Sequence, residues 1–308
     1  GNAEGDAMTA RIRVLILGYG EMGHAMEYLL GEWQQLDIWE KYPRDNFQSV
    51  VLEEAAPLAD IVLFCLPVNP HREVVQHIAP LLRKTCLCVS IAKGLDEAGH
   101  TAAQILAGEL GSQQAYCLLY GPMISEEIRA GRYAFAQLGC AGMDAYNRIC
   151  ALYQGTPLYL EHTSDITGIS WSVILKNVYA LVFGMADELQ LGDNMRGYLA
   201  VAALRELDKI VRTMGGQAGS PYHLAGLGDL ITTATSEDSH HHELGRMLAR
   251  EEVDAIEGEG IHTLEMVSRN RLFNTEDYPL FQLIHELVRS PQDVRNRIDE
   301  YLQQVYSW

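Results

Sequence analysis

Between Asp165 and Asp187 run twenty-one residues, Ile166 to Ala186, in which Lys176 is the one charged side chain. Trp171, Val173, Ile174, Leu175, Val178, Tyr179, Leu181, Val182, Phe183 and Met185 are distributed so that no polar face is left, so a helix here is buried all round. A membrane span is the first alternative. Thr167, Ser170, Ser172, Lys176 and Asn177 argue against it, because they interrupt the apolar run and place a charge where hydrocarbon would be. A buried structural lysine paired with an acid is the second. Lysine is almost never buried without a partner, and burial lowers its pKa, so Lys176 is a candidate for acid–base chemistry.

Ahead of that helix the pattern is of short apolar runs separated by helical segments. Ile12 to Leu17, Leu36 to Trp39, Ile61 to Leu66, Leu87 to Ile91 and Tyr116 to Tyr120 read as strands, the better part of them near-continuously apolar. Tyr133 to Leu138 and Pro157 to Leu160 add two shorter ones. Helices are predicted from the glycine-rich segment at residue 18 to Leu30, over Asn69 to Arg83, Glu97 to Leu110 and Met143 to Tyr153. This alternation predicts a doubly wound, mostly parallel α/β sheet, whose ligands bind at the carboxyl ends of its strands. After His162 no further strand is evident. Helices are expected over Asn194 to Met214, Pro279 to Arg289 and Pro291 to Tyr306, with Ser239-His240-His241-His242 on a loop. The expected division is therefore a dinucleotide-binding domain at 8–163 and a helical substrate domain at 164–308. Residues 1–7 are read as a remnant ahead of a natural start at Met8.

The first strand passes straight into Gly18-Tyr19-Gly20-Glu21-Met22-Gly23. A G-x-G-x-x-G between a buried strand and a helix is the context in which it binds a dinucleotide: Gly18 for the tight turn, Gly20 for approach of backbone to a pyrophosphate, Gly23 for helix–strand packing. Glu40 ends the second strand, seventeen residues after Gly23. A carboxylate there accepts ribose hydroxyls and repels a 2′-phosphate, so NAD is expected over NADP, although Lys41 beside it blunts the inference. Pro67, Lys93 and Gly121 all fall at strand ends on the same side as the glycine loop.

Composition narrows the partners. A 308-residue chain with a net charge of -18 lacks the basic balance that nucleic acid or an anionic membrane needs. The six cysteines have no C-x-x-C spacing and read as free thiols of a cytoplasmic protein. Adjacent histidines at 240–242 without an H-E-x-x-H pattern do not amount to a metal site.

Several separated segments together resemble one family, the NAD(P)-dependent glycerol-3-phosphate dehydrogenases. They are GYGEMGHA at 18–25, KGL at 93–95, GPMISEEIRAG at 121–131, LKNVYALVFGMADELQLGDN at 175–194, GLGDLITTAT at 226–235 and EGIHT at 259–263. The resemblance implies a Rossmann-like domain followed by an all-α domain of the 6-phosphogluconate-dehydrogenase type, and a homodimer paired through the latter. It implies Lys176 as the catalytic lysine, Asn177 as its orienting neighbour, and Asp229 and Thr233 as residues that hold lysine and substrate. Lys93, Gly121 and Ser239 fall at the substrate edge, and Ser125 and Glu259 beside the cofactor. Three departures lie at the substrate end. His240 and His241 stand where the family carries arginine and asparagine, Met123 where it carries serine, and the stretch between Glu40 and Asp60 is short. Neutral imidazole cannot supply arginine's charged fork, so the expected phosphate grip of His240 and His241 is weakened and pH-dependent. The default reaction is interconversion of glycerol 3-phosphate and dihydroxyacetone phosphate. A dehydrogenase of another small hydroxy compound, or a dinucleotide-binding protein without catalysis, is the alternative.

Overall fold

The computed structural model describes residues 11–307 except 238, 253 and 255, so residues 1–7, read above as a remnant, and the expected start at Met8 lie outside the described residues. Seven strands form one sheet in the order β2-β1-β3-β4-β5-β6-β7. They are β1 (Arg13–Leu17), β2 (Gln35–Trp39), β3 (Ile61–Phe64), β4 (Leu87–Ser90), β5 (Tyr116–Tyr120), β6 (Ala134–Gly139) and β7 (Leu158–Thr163). Between them lie α1 (Glu21–Leu30), α2 (Leu52–Ala55), α3 (His71–Ile78), α4 (Ala102–Glu109), α5 (Ser125–Arg129) and α6 (Met143–Leu152). All neighbours pair in parallel except β5 with β6, where the chain turns back through the short α5 instead of making a full crossover. The innermost strands β1, β3 and β4 are buried on both faces, which is why they read as continuous apolar runs.

Two helices are shorter than their periodicity predicts, for local reasons. The helix expected to Arg83 ends at Ile78 and tightens into a 3₁₀ turn, Ala79–Leu81, because Pro80 cannot donate to the helix. The one expected from Glu97 begins at Ala102. Thr101 caps it in a reciprocal box with Gln104, while Asp96 Oδ1 accepts from Ala98 and His100 N–H and holds the preceding residues in a turn.

The carboxy-terminal part is helical: α7 (Ile166–Glu188), α8 (Asp193–Thr213), α9 (Asp229–Thr235), α10 (His240–Ala249), α11 (Glu259–Asn270), α12 (Pro279–Arg289) and α13 (Val294–Val305). α7 is the axis. Asp165 caps it by accepting from Gly168 N–H at 3.0 Å, and α8 to α12 all pack on it. It is apolar and long enough to cross a membrane, but 89% of its most apolar stretch is buried inside the protein. The histidines of 240–242 are not on a loop, as expected, but form the first turn of α10, where Ser239 Oγ accepts from His242 N–H. α10 crosses α7 at a glycine contact. A Cβ on Gly184 would lie 2.0 Å from the His242 carbonyl oxygen, and one on Gly245 would lie 2.0 Å from that of Leu181. That close crossing sets the start of α10 against the carboxyl-terminal half of α7, and His240 and His241 line the cavity that holds Lys176.

A buried acid on α8 ties the far end together. Glu206 accepts from Tyr179 Oη at 2.8 Å and from the Leu280 and Phe281 N–H groups at 2.8 and 2.9 Å, satisfying the open first turn of α12. Nothing in the amphipathic pattern of α8 singles this glutamate out.

Candidate active site

The carboxyl ends of β1 to β4 open on a cleft whose first wall is the glycine loop. Gly18 has φ +98°, and a Cβ there would lie 2.7 Å from the Cys65 carbonyl oxygen; one on Gly23 would lie 2.2 Å from that of Gly18. Both glycines are therefore demanded by the fold itself. Gly20 is different: a Cβ there would meet nothing within 4 Å. The open space over Gly20, at the start of α1, is the cradle a pyrophosphate would occupy, so these residues fit a dinucleotide. Glu40 Oε2 accepts from Tyr19 N–H at 2.8 Å, fixing the carboxylate beside the loop. The Tyr19 ring is stacked between His24 and Phe47, at centroid distances of 3.7 and 4.4 Å. Ser125 donates its hydroxyl to the Glu21 carbonyl at 2.8 Å, which pins α5 to the loop. Met22 packs its side chain on the core beneath the sheet.

Three cavities follow one another along the strand ends. The first, about 800 Å³, lies between the end of β2 and α3 and includes Glu40, Leu66 and Pro67. Pro67 is shared with the second, about 740 Å³, which also takes in Gly94, Leu95, His240, Glu259 and His262. His240 and Glu259 are shared with the third, about 220 Å³, which holds Lys93, Lys176, Asn177, Asp229, Thr233, Ser239 and His241. The cleft thus runs from Glu40, beside the glycine loop, to Lys176.

Lys176 is 5% exposed. Its Nζ donates to Thr233 Oγ1 at 2.7 Å and lies 3.1 Å from Asp229 Oδ2. Lys93 Nζ meets the same Asp229 oxygen at 2.8 Å and approaches the Gly121 carbonyl at 3.5 Å. One carboxylate therefore sits between two amines. Burial pushes the Lys176 amine down to about 8, against the pull of Asp229. Burial pushes the Asp229 carboxyl up, but the charges of Lys176 and Lys93 outweigh it and hold the group below its ordinary range. A lysine has three N–H positions, and two of those on Lys176 are taken, so one is free to face the cavity. Asp229 is brought here by a single π-helical turn, Leu224–Gly228, that runs into α9. Ala225 N–H in that turn donates to Gln137 Oε1 at 2.9 Å, tying it to β6.

Glu259 opens α11 beside Asn177, whose Nδ2 lies 3.4 Å from its Oε2. Partial desolvation of its carboxyl by the surrounding protein raises its pKa, against Lys176 and Lys93. The three histidines each have a separate partner. His240 Nε2 lies 2.8 Å from the Glu257 carbonyl, His242 Nε2 lies 2.6 Å from Asp187 Oδ2, and His241 Nε2 accepts from Gly260 N–H at 2.9 Å. Because a backbone N–H can only donate, His241 Nε2 carries no proton. Burial, reinforced by Lys176, His240 and Lys93, pushes this imidazole down to about 3. The His241 ring is buried, among cations, and committed as an acceptor, which opposes its charging near neutral pH.

Met123, Ile124 and Thr232 also line the innermost cavity. Ile124 and Thr232 went unread in the sequence. Thr232 stands in a motif already singled out, one position before Thr233, and its exposure to the cavity depends on the pitch of a helix that periodicity had not predicted.

Two family models match the chain, the NAD-dependent glycerol-3-phosphate dehydrogenase N-terminus over residues 40–145 and the C-terminus over residues 165–299. A glycerol-3-phosphate dehydrogenase [NAD(P)+] of Nitratidesulfovibrio vulgaris is 27% identical over 94% of this chain and 98% of its own length. One from Mycobacterium bovis is 33% identical, over 66% of this chain and 60% of its own. In fold, the chain is similar to the crystal structure of glycerol-3-phosphate dehydrogenase from Coxiella burnetii, with a TM-score of 0.81 and 21% identity over 95% of this chain and 99% of the other. With both halves matched in order, and the matched segments converging on Lys176, the chain belongs to the NAD-dependent glycerol-3-phosphate dehydrogenase family.

Proposed function

We propose that the protein interconverts glycerol 3-phosphate and dihydroxyacetone phosphate, with NAD(H) supplying or taking the hydride. The observation that carries this reading is Lys176: a buried amine of pKa about 8, at the closed end of a cleft that begins at a dinucleotide loop. In oxidation, neutral Lys176 Nζ takes the proton of the substrate hydroxyl; in reduction, protonated Nζ returns it to the forming alkoxide. Asp229 stabilises the charged amine and Thr233 Oγ1 fixes its direction. Lys93, with its amine on the cavity wall, attracts the anionic end of the substrate. Turnover of NADH against dihydroxyacetone phosphate and the same triose without phosphate tests the reading. The phosphorylated ketone should be much the better substrate, and equal use of both would move the protein to another hydroxy compound.

Glu40 supports a preference for NAD, since its fixed carboxylate would repel a 2′-phosphate. Arg44 and Arg129 line a neighbouring cavity with Glu40 and supply the cations that NADP would need. NADH is expected to bind more tightly than NADPH, with Glu40→Ala narrowing the gap. Equal dissociation constants in the unaltered protein would contradict this.

The same reading takes the sheet portion up to residue 163 as the cofactor domain and the helices beyond it as the substrate domain, in a cytoplasmic homodimer. Family analogy and the strongly apolar helical half support the pairing. Light scattering should give twice the chain mass at micromolar concentration, and a monomer there would refute it.

A further inference from the structure

We propose that His241 determines substrate binding as a neutral donor, locked as the Nδ1–H tautomer and presenting that N–H to an oxygen of the ligand in the cavity beside Lys176. The inference deepens the proposed dehydrogenase reading and rests on it for the identity of the ligand.

The tautomer follows from one contact. Gly260 N–H, in the first turn of α11, donates to His241 Nε2 at 2.9 Å, so the single proton of the neutral ring resides on Nδ1. Nδ1 has no hydrogen-bond partner among the described residues, yet it is not sealed off. Among those residues, Arg246 Nε is the one fully buried side-chain polar atom that lacks a partner. His241 lines the same cavity as Lys176, Asp229 and Thr233. A largely buried donor on a residue that lines a substrate cavity can be satisfied by substrate. The groups around the ring keep it from charging: Lys176 on α7, Lys93 after β4 and His240 on its own turn all oppose a second proton. Of the two acids on the same cavity, Asp229 is engaged by Lys93 and Lys176, and Glu259 on α11 is biased toward its neutral form by desolvation. The family's asparagine at this position is thus replaced by a different donor of the same sign and charge.

Stereochemistry supplies a paired test. Asparagine places its amide where Nδ1 lies, whereas glutamine places its amide where Nε2 lies. His241→Asn should keep the ligand contact, and KM for dihydroxyacetone phosphate should stay within about threefold. His241→Gln should keep an acceptor for Gly260 N–H and the position of α11, but lose the ligand contact. Its KM should rise about five- to tenfold, with kcat changed less, the scale of one neutral hydrogen bond. Nitrogen NMR of histidine-labelled protein, with the His241 signals assigned by their loss in His241→Asn, reads the tautomer without turnover. It should show protonated Nδ1 and bare Nε2 from about pH 8 to about pH 5, and Nδ1–H should shift when NADH and dihydroxyacetone phosphate are added. A protonated Nε2, titration near the ordinary histidine value, or an Nδ1–H unmoved by ligand would overturn the proposal, as would unchanged KM in His241→Gln. A shifted Nδ1–H without turnover would sustain the His241 role while refuting the dehydrogenase reading. Turnover with an unmoved signal would do the reverse.

Discussion

Lys176→Met should lower kcat for reduction of dihydroxyacetone phosphate by about 10²- to 10⁴-fold, the range over which a positioned general acid contributes. Methionine suits the test because it keeps the length of the unbranched side chain without its charge, and Asp229 retains Lys93 as a partner at 2.8 Å. The fold should therefore survive, and NADH should bind as before, since the loop from Gly18 to Gly23 and Glu40 are untouched. Rapid-mixing kinetics alongside a binding titration separate the two effects. A variant that retains more than about a tenth of the activity would show that another group moves the proton.

Asp229→Asn is expected to be strongly destabilising. Asparagine keeps the shape but leaves Lys93 and Lys176 facing each other without the carboxylate that both contact, at 2.8 and 3.1 Å. Removing one partner of a buried ion pair costs about 3–5 kcal/mol. Lys176 escapes part of that cost by shedding its proton, so the deficit should depend on pH. Asp229 raises the Lys176 pKa, and without it the amine should titrate below its present value of about 8. Above that pH Lys176 is neutral with or without Asp229, and the loss is smallest. As pH falls through 8 the native protein gains an attraction the variant lacks, and the deficit grows. It shrinks again only where Asp229 itself protonates, below the ordinary carboxylate range. Denaturant midpoints across pH should trace this course, and a pH-independent deficit would show that the two charges do not interact as the geometry implies. In kinetics, the loss of reductive activity at high pH should move to lower pH.

How much of this was legible in the chain depended on whether the signal was local. Lys176 stood out because one charge in a run of twenty-one residues has no solvent face to escape to. The glycine loop was readable because strand, loop and helix are contiguous, and Glu40 because a strand end lies a fixed distance beyond it. Asp229 could be placed through its motif, although not its bridge to Lys93, which joins residues 136 positions apart. The histidines were misread as a loop because three residues of weak helix preference conceal the start of α10; the one local sign was Ser239 as its cap. Their chemistry was not legible for a different reason. An imidazole's charge depends on what meets each nitrogen, and His241 meets Gly260 only because α10 and α11 both pack on α7. Glu206 was silent for the same reason: its partners come from α7 and α12, and no spacing within α8 reports them.

The pH dependence of the reaction in both directions tests the role of Lys176 most directly. With NADH and dihydroxyacetone phosphate, kcat/KM should hold steady at low pH and fall above an apparent pKa near 8, as the acid is lost. With NAD and glycerol 3-phosphate it should rise through the same pKa, as the base appears. Measured between about pH 6 and 10, these two limbs should mirror one another and both should vanish in Lys176→Met. Limbs that do not share a pKa, or that persist in the variant, would contradict the assignment of Lys176 as the group that carries the proton.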